Sequence, residues 1–285
     1  MNKGVIILAH NNRKVDYAKM AIVAAKFAKK NLKVSVSMIT DKTTVEWMQQ
    51  SQIWPTAESL FDKIITVDRP VTDNQRILHD GTDQDRVPFL NSNRSAVWEH
   101  TPYERTLLID SDFIACSDNL NHYWDINEDV MISGGLNDIQ GDRCGVLDQW
   151  VSETGVHLYW ATTVMFTKNK NTEIFFQLVD YVRENYRYYA DLFRFRSDQY
   201  RNDISFSVAK HIMEGFEKSN ITLPDVLTVQ DKDILENVNN DGRLVFAIKS
   251  QIDAESFYLA SIKDQDVHIM NKQSIIRNYD RLMSL

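Results

Sequence analysis

Residues 103–120 of the chain read YERTLLIDSDFIACSDNL, with Asp110 and Asp112 at the end of the apolar run 106–109. Side chains two apart on an extended chain share a side, so the two carboxylates are expected to converge. Two unpaired like charges that close push one pKa sharply upward, and a divalent cation between them removes the repulsion. Hard oxygen ligands suit Mg²⁺ or Mn²⁺, ions that keep open positions for substrate phosphates. The plainer reading is a strand-end turn in which an Asp carboxylate accepts a bond from a backbone N–H two residues on. A lone Asp-x-Asp in 285 residues does not separate the two.

Chemistries with stricter signatures find no support. There is no Walker-type Gly-rich loop, no GxSxG and no Cys–His arrangement. Cys116 and Cys144 lack CxxC spacing and read as free thiols. A formal charge of −8 gives no global basic field, so nucleic acid would need a local basic groove. No stretch approaches the length of a membrane span, and the opening run 5–9 is too short for a signal-peptide core. A soluble, cytoplasmic protein is expected.

The elements that must position these acids follow from periodicity. Run 5–9 suits a strand buried on both faces. VDYAKMAIVAAKFAKK (15–30) places Ala18, Ala21, Ile22, Ala25 and Ala28 on one helical face, and 32–41 alternates as a second strand. Together they predict a right-handed βαβ unit. Further strands are expected at 63–68, 106–110, 129–135 and 158–167, and helices at 93–100, 172–193 and 203–213. Short β segments are expected near 226–230, 244–248 and 265–270. The polar stretch 69–93 reads as a long loop over the site, and 136–156 as another loop. This is an α/β pattern, whose ligands bind beyond the carboxyl ends of the strands. His10, Asp41, Asp68 and Asp110 would all stand on that rim.

Residues 102–114, with Asp118-Asn119-Leu120 and Tyr123-Trp124 beyond them, resemble the core of the GT-A nucleotide-sugar glycosyltransferases. They are most similar to the retaining group that includes glycogenin and bacterial lipopolysaccharide galactosyltransferases, with its Tyr-x-x-x-Leu-Tyr-Leu-Asp-x-Asp pattern. The resemblance implies a GT-A, Rossmann-like fold: a mixed, mainly parallel sheet flanked by helices, with a smaller C-terminal acceptor-side part. It implies one domain over 1–285, with a nucleotide-binding half (1–125) ending in the acid pair and a sugar- and acceptor-binding half (126–285).

The implied chemistry is transfer of a sugar from a nucleotide-sugar, a UDP-sugar first, to an acceptor hydroxyl with Mn²⁺ or Mg²⁺ and with retention. Metal ligands would be Asp110, Asp112 and His268. Donor contacts would come from Ala9, His10, Asn11, Asp41, Arg94, Asp110, Ser111 and Lys272, and catalytic carboxylates from Asp203 or Asp198. Two departures stand out. Ala161-Thr162-Thr163 replaces the family's Asn-x-Gly, and the Lys-Pro-Trp ending after Lys272 is absent. His79, His100, His122, His157 and His211 show no paired ligand spacing and read as structural. Trp98, Trp124, Trp150 and Trp160 suit a sugar pocket or a core equally.

The acceptor is hinted at by 181–202, which holds five Arg against three acids, interleaved with seven Tyr or Phe. Such a stretch is a packed helix with solvated Arg, or a platform on which bases or sugar rings stack. The opening GVIILAHNN (4–12) and the helix that follows with Tyr17-Ala18-Lys19 also resemble small glycosyltransferases encoded by tailed bacteriophages, some of which glycosylate hydroxymethylated pyrimidines in DNA. That makes modified DNA the specific expectation for the acceptor, in a host cytoplasm, with lipopolysaccharide or another glycan as the alternative. A nucleotidyltransferase usually carries a Gly-rich signature after the first strand, and His10-Asn11-Asn12-Arg13 lacks it. A non-catalytic nucleotide-sugar-binding module is the remaining reading.

Overall fold

The computed structural model describes residues 2–285 except 13, 81, 82, 142, 153, 154, 197, 198 and 254. Strand β1 (Lys3–Leu8), helix α1 (Tyr17–Leu32) and strand β2 (Ser35–Asp41) form the expected βαβ unit. Helix α1 begins where the Asp16 carboxylate accepts from the Lys19 N–H and ends at Lys33, in the left-handed region with φ 55°. Helices α2 (Lys42–Gln50) and α3 (Trp54–Leu60) lead to β3 (Lys63–Val67). The hairpin β4 (Gln75–Asp80) and β5 (Asp83–Pro88) follows, then α4 (Val97–His100), β6 (Arg105–Ile109) and β7 (Phe113–Ile114).

The second half runs through β8 (Val130–Ser133), β9 (Leu136–Asp138) and β10 (Trp160–Thr167). Helices α5 (Lys170–Glu184), α6 (Tyr186–Phe193) and α7 (Asn202–Met213) come next. They are followed by β11 (Val226–Val229), β12 (Ile234–Val238), β13 (Leu244–Lys249), β14 (Phe257–Ile262) and β15 (Val267–Ile269). Helices α8 (Lys272–Arg277) and α9 (Tyr279–Ser284) close the chain.

The central sheet has the order β3-β2-β1-β6-β10-β8. Its first four strands are parallel, and β10 runs antiparallel to both neighbours. This is the expected mixed, mainly parallel α/β architecture. Alternation along the strands divides the core between the two faces. Val5, Ile7, Leu107 and Ile109 pack with α1, whereas Ile6, Leu8 and Leu108 pack with Phe175, Phe176 and Phe206 of α5 and α7. From β1 the chain builds outward through β2 and β3, then returns to place β6 on the other side of β1. That reversal opens a crevice beyond the carboxyl ends of β1 and β6.

A second sheet, β7-β15-β11-β9, brings the C-terminal region to this crevice, with His268 paired to Phe113. An antiparallel sheet, β12-β13-β14, lies outside it.

Several expectations are corrected. Stretch 69–93 contains the β4–β5 hairpin rather than an unbroken loop. The ribbon is largely exposed, and its charged residues hide any two-residue alternation. The expected helix 172–193 breaks at Asn185, whose side-chain amide donates to the Tyr181 carbonyl at 2.8 Å and competes with the backbone ladder. Aromatic spacing continues across that break, so periodicity cannot reveal it. The stretch 136–156 includes β9, and β12, β14, α8 and α9 had no clear sequence signal.

Candidate active site

The acid pair reaches the crevice by a turn, not by the extended geometry assumed from sequence. The Asp110 N–H donates to the Thr162 carbonyl of β10 at 3.0 Å, and the Phe113 N–H closes the turn on the Asp110 carbonyl at 3.1 Å. The Ile269 N–H donates to the Asp112 carbonyl at 2.9 Å, fastening β15 to the same turn. Asp110, Asp112 and His268 thereby offer one ligand atom each, all within 4.8 Å of one another. Two carboxylate oxygens and an imidazole nitrogen at that spacing fit a Mg²⁺- or Mn²⁺-sized ion.

Basic side chains surround the pair. Arg94 Nη1 lies 3.0 Å from Asp110, Lys272 Nζ 2.7 Å from Asp112, and His268 Nε2 3.3 Å from the other Asp112 oxygen. Burial and the neighbouring Asp112 raise the Asp110 carboxyl above its ordinary range, although Arg94 opposes them. Burial would also raise Asp112, but Lys272 and His268 outweigh it and hold that carboxyl below the usual range. Burial would depress the Lys272 amine; Asp112 more than offsets this and raises it. Arg94 is buried, and its Nη2 has no hydrogen-bond partner among the described residues.

These residues line a cavity of about 410 Å³. Its far wall carries Trp160, Arg201 and Asp203. The Arg201 guanidinium lies 5.6 Å from the Trp160 ring centroid and grips both Asp203 oxygens. Burial raises Asp203, yet the Arg201 charge prevails and holds it low. Asp198 lies outside the described residues. The register of β10 shifts between Trp160 and Val164, a bulge beside Ala161 and Thr162, both of which face the cavity. Thr162 Oγ1 stands 3.5 Å from His268 Nδ1.

Ser111 also lines the cavity, but Ala9, His10, Asn11 and Asp41 do not. They form a closed network behind it. His10 Nδ1 is 3.0 Å from Asp41, which also accepts from Thr44 N–H, Thr44 Oγ1 and Arg69. Asn11 accepts from the Ala18 N–H at 2.8 Å. Asn91 links this network to the cavity it lines, accepting from the His10 N–H at 2.8 Å.

Other motif residues serve the scaffold. The Tyr103 ring covers Gly4, where a Cβ would meet it at 2.5 Å. Arg105 is buried and caps the carbonyls of Ile126 and Glu128. Trp124 is core, Trp150 is exposed, and Trp98 donates to Thr172 at 3.1 Å. His157 and His211 are bonded to backbone carbonyls.

Sequence reading missed Arg76, Phe89, Tyr17 and Asn91 and read His79 as structural; all five lie in the cavity wall. An Arg among apolar residues in 75–80 was the only available signal. Of the 181–203 stretch, Tyr186, Tyr189 and Tyr200 are buried, while Tyr181 and Tyr188 are exposed. Arg183 pairs with Asp180.

No protein-family model matches the chain, and no curated protein does. Among solved structures it is similar to the glycosyltransferase GlyE of Streptococcus pneumoniae TIGR4, at 12% identity and TM-score 0.40, over 75% of this chain and 43% of that one. It is similar to the galactosyltransferase LgtC, solved with donor and acceptor sugar analogs, at 13% identity and TM-score 0.43, over 70% and 68% of the two chains. For mouse xyloside xylosyltransferase 1 the values are 11% and 0.44, over 75% and 82%. The chain thus spans less than half the length of GlyE. Its chemistry has to be read from its own residues.

Among the described residues, no helix is long and apolar enough to cross a membrane.

Proposed function

We propose that the chain is a metal-dependent glycosyltransferase of GT-A type that moves a sugar from a nucleotide-sugar, most simply a UDP-sugar, to an acceptor hydroxyl with retention. The supporting observation is the convergence of Asp110, Asp112 and His268 in a cavity at the sheet's switch point, with Lys272 and Arg94 on the same acids. In this reading residues 1–125 supply the donor side of one domain and 126–285 the sugar and acceptor side.

Asp110, Asp112 and His268 would hold Mn²⁺ or Mg²⁺. Such an ion supplies Lewis-acid stabilisation of the charge that grows on the departing diphosphate. Lys272 and Arg94 place fixed positive charge beside the same oxygens and need no reorganisation as the bond breaks. The Arg201–Asp203 pair and the Trp160 ring offer the sugar donors, an acceptor and an apolar face. Arg201 keeps Asp203 ionised, so its carboxylate can orient a hydroxyl or face the anomeric carbon.

The acceptor is a hydroxyl of a glycan or of a hydroxymethylated pyrimidine in phage DNA. Burial of Tyr186, Tyr189 and Tyr200 favours the glycan, because it removes three rings from the platform that stacking on DNA requires.

The test is release of UDP or GDP from a panel of nucleotide-sugars with Mn²⁺, by the wild type and by the Asp110→Asn/Asp112→Asn double variant. Turnover by the wild type alone supports the reading; equal turnover by both would sink the ion site. A wild type that neither turns over nor binds any donor would sink the enzyme. Anomeric configuration in the product, followed by NMR, tests retention. Parallel reactions with oligosaccharide and hydroxymethylated oligonucleotide decide the acceptor.

A further inference from the structure

The other basic side chains that line the cavity have acidic partners. Arg94 is on Asp110, Lys272 and His268 are on Asp112, Arg201 is on Asp203, and His79 stands 3.7 Å from Asp231. Arg76 differs. Its guanidinium carbon lies 3.6 Å from the centroid of the Phe89 ring, and among the described residues no carboxylate or carbonyl accepts from it. Stacking uses the face of a guanidinium and leaves its in-plane N–H fork free for an oxyanion.

The hairpin holds this group in place. The Phe89 N–H donates to the Asn74 carbonyl at 2.9 Å at its base. At the other end of β4, Asp80 accepts from Arg277 at 2.5 and 2.8 Å and from the Asn271 amide at 3.3 Å. Asn271 is also the N-cap of α8, the helix that begins with Lys272. One strand therefore presents Arg76 and is tied to the helix that presents Lys272. Arg76 is near enough to oppose the positive charge on Lys272 and to favour the negative charge on Asp203. Two cations held within mutual repulsion, one of them without an acid, leave room for an anion of the ligand.

We infer that Arg76 is a further donor-binding residue, gripping the diphosphate of the nucleotide-sugar from the hairpin side together with Lys272. This rests on the proposed reading of the site and adds a residue to it. A charge-assisted contact of this kind changes affinity by roughly 10- to 100-fold.

The test measures binding of UDP and GDP, and of uridine and guanosine, in Mn²⁺ by calorimetry for wild type, Arg76→Met and Arg76→Lys. Arg76→Met should weaken the preferred diphosphate by roughly 10- to 100-fold, Arg76→Lys by less, and neither should change nucleoside binding. Unliganded melting temperatures should stay close to wild type, since Arg76 has no ion pair among the described residues and the Met side chain is long enough to cover Phe89 in place of the guanidinium. Diphosphate affinity equal to wild type in Arg76→Met overturns the inference, as does a parallel loss for the nucleoside, which would mark a packing role. An unchanged diphosphate Kd with a raised KM for acceptor also overturns it, because the anion would then belong to the acceptor. A wild type that binds no diphosphate overturns the site reading itself, and this inference with it.

Discussion

Two clusters at the strand ends share almost the same parts. Behind the cavity, Asp41 meets His10 at 3.0 Å and Arg69 at 2.8 Å; inside it, Asp112 meets His268 at 3.3 Å and Lys272 at 2.7 Å. Each is an aspartate between an imidazole and a side-chain cation, but the surroundings differ. Asp41 also accepts from the Thr44 N–H and hydroxyl and is fully buried, so its lone pairs are used and it caps α2. Asp112 instead faces a cavity and stands beside a second acid, Asp110, which among the described residues is ion-paired with Arg94 alone. A closed cluster stabilises a fold, whereas a cluster with spare lone pairs and spare charge is able to take a ligand. Residue types alone do not separate them; coordination completeness does.

The widest gap between the clusters should appear in activity. Asp112→Asn is expected to lower donor turnover by about a thousandfold, in line with the loss of one strongly placed electrostatic group, and to weaken Mn²⁺ binding with it. Comparable turnover in this variant would erase the distinction. Asp41→Asn should do the reverse: lose about 3 kcal/mol of stability, as expected when a buried ion pair loses one partner, with Mn²⁺ affinity retained. Urea denaturation and metal titration of the two proteins side by side read both effects.

Lys272→Met sharpens the contrast further. In the unliganded protein the Lys272 amine satisfies the acid that a metal would use, so the two cations compete. Removing the amine should tighten Mn²⁺ binding in the absence of donor by roughly tenfold, about 1.4 kcal/mol, while weakening nucleoside diphosphate. An unchanged Mn²⁺ affinity in calorimetry would show that Lys272 and the ion do not share Asp112.

The smallest effect is the pH dependence of the closed cluster. Burial would raise the Asp41 carboxyl, but His10, Thr44 and Arg69 outweigh it and leave it below its ordinary value of 3.8. The native state therefore binds fewer protons there than the unfolded chain. The stabilisation is complete above the ordinary value and drains away as pH falls through the folded one. Urea midpoints taken downward from pH 5 should fall more steeply in wild type than in Asp41→Asn; parallel curves would contradict the assignment.

Much of the frame was legible beforehand. A buried strand, an alanine-faced helix and a second strand leave their periods in the sequence, because burying one face of a helix or both faces of a strand demands those spacings. The acid pair and its likeness to a glycosyltransferase core were visible for the same local reason: they occupy one turn. His268 and Lys272 were matched only by resemblance, and the pairing of β15 with β7 brings them to the site across more than 150 residues of sequence.

What the sequence determined by itself was the alternation of elements and the type of residue at each strand end. Only the tertiary structure decided which of those ends stayed open. Asp41 ends one parallel strand and Asp110 follows another, and nothing near Asp41 in the chain announces that Thr44, His10 and Arg69 will use up its oxygens. Arg76 escaped notice for the matching reason. Its significance lies in lacking an acidic partner, and that can be known only once every charge around it has been placed in space.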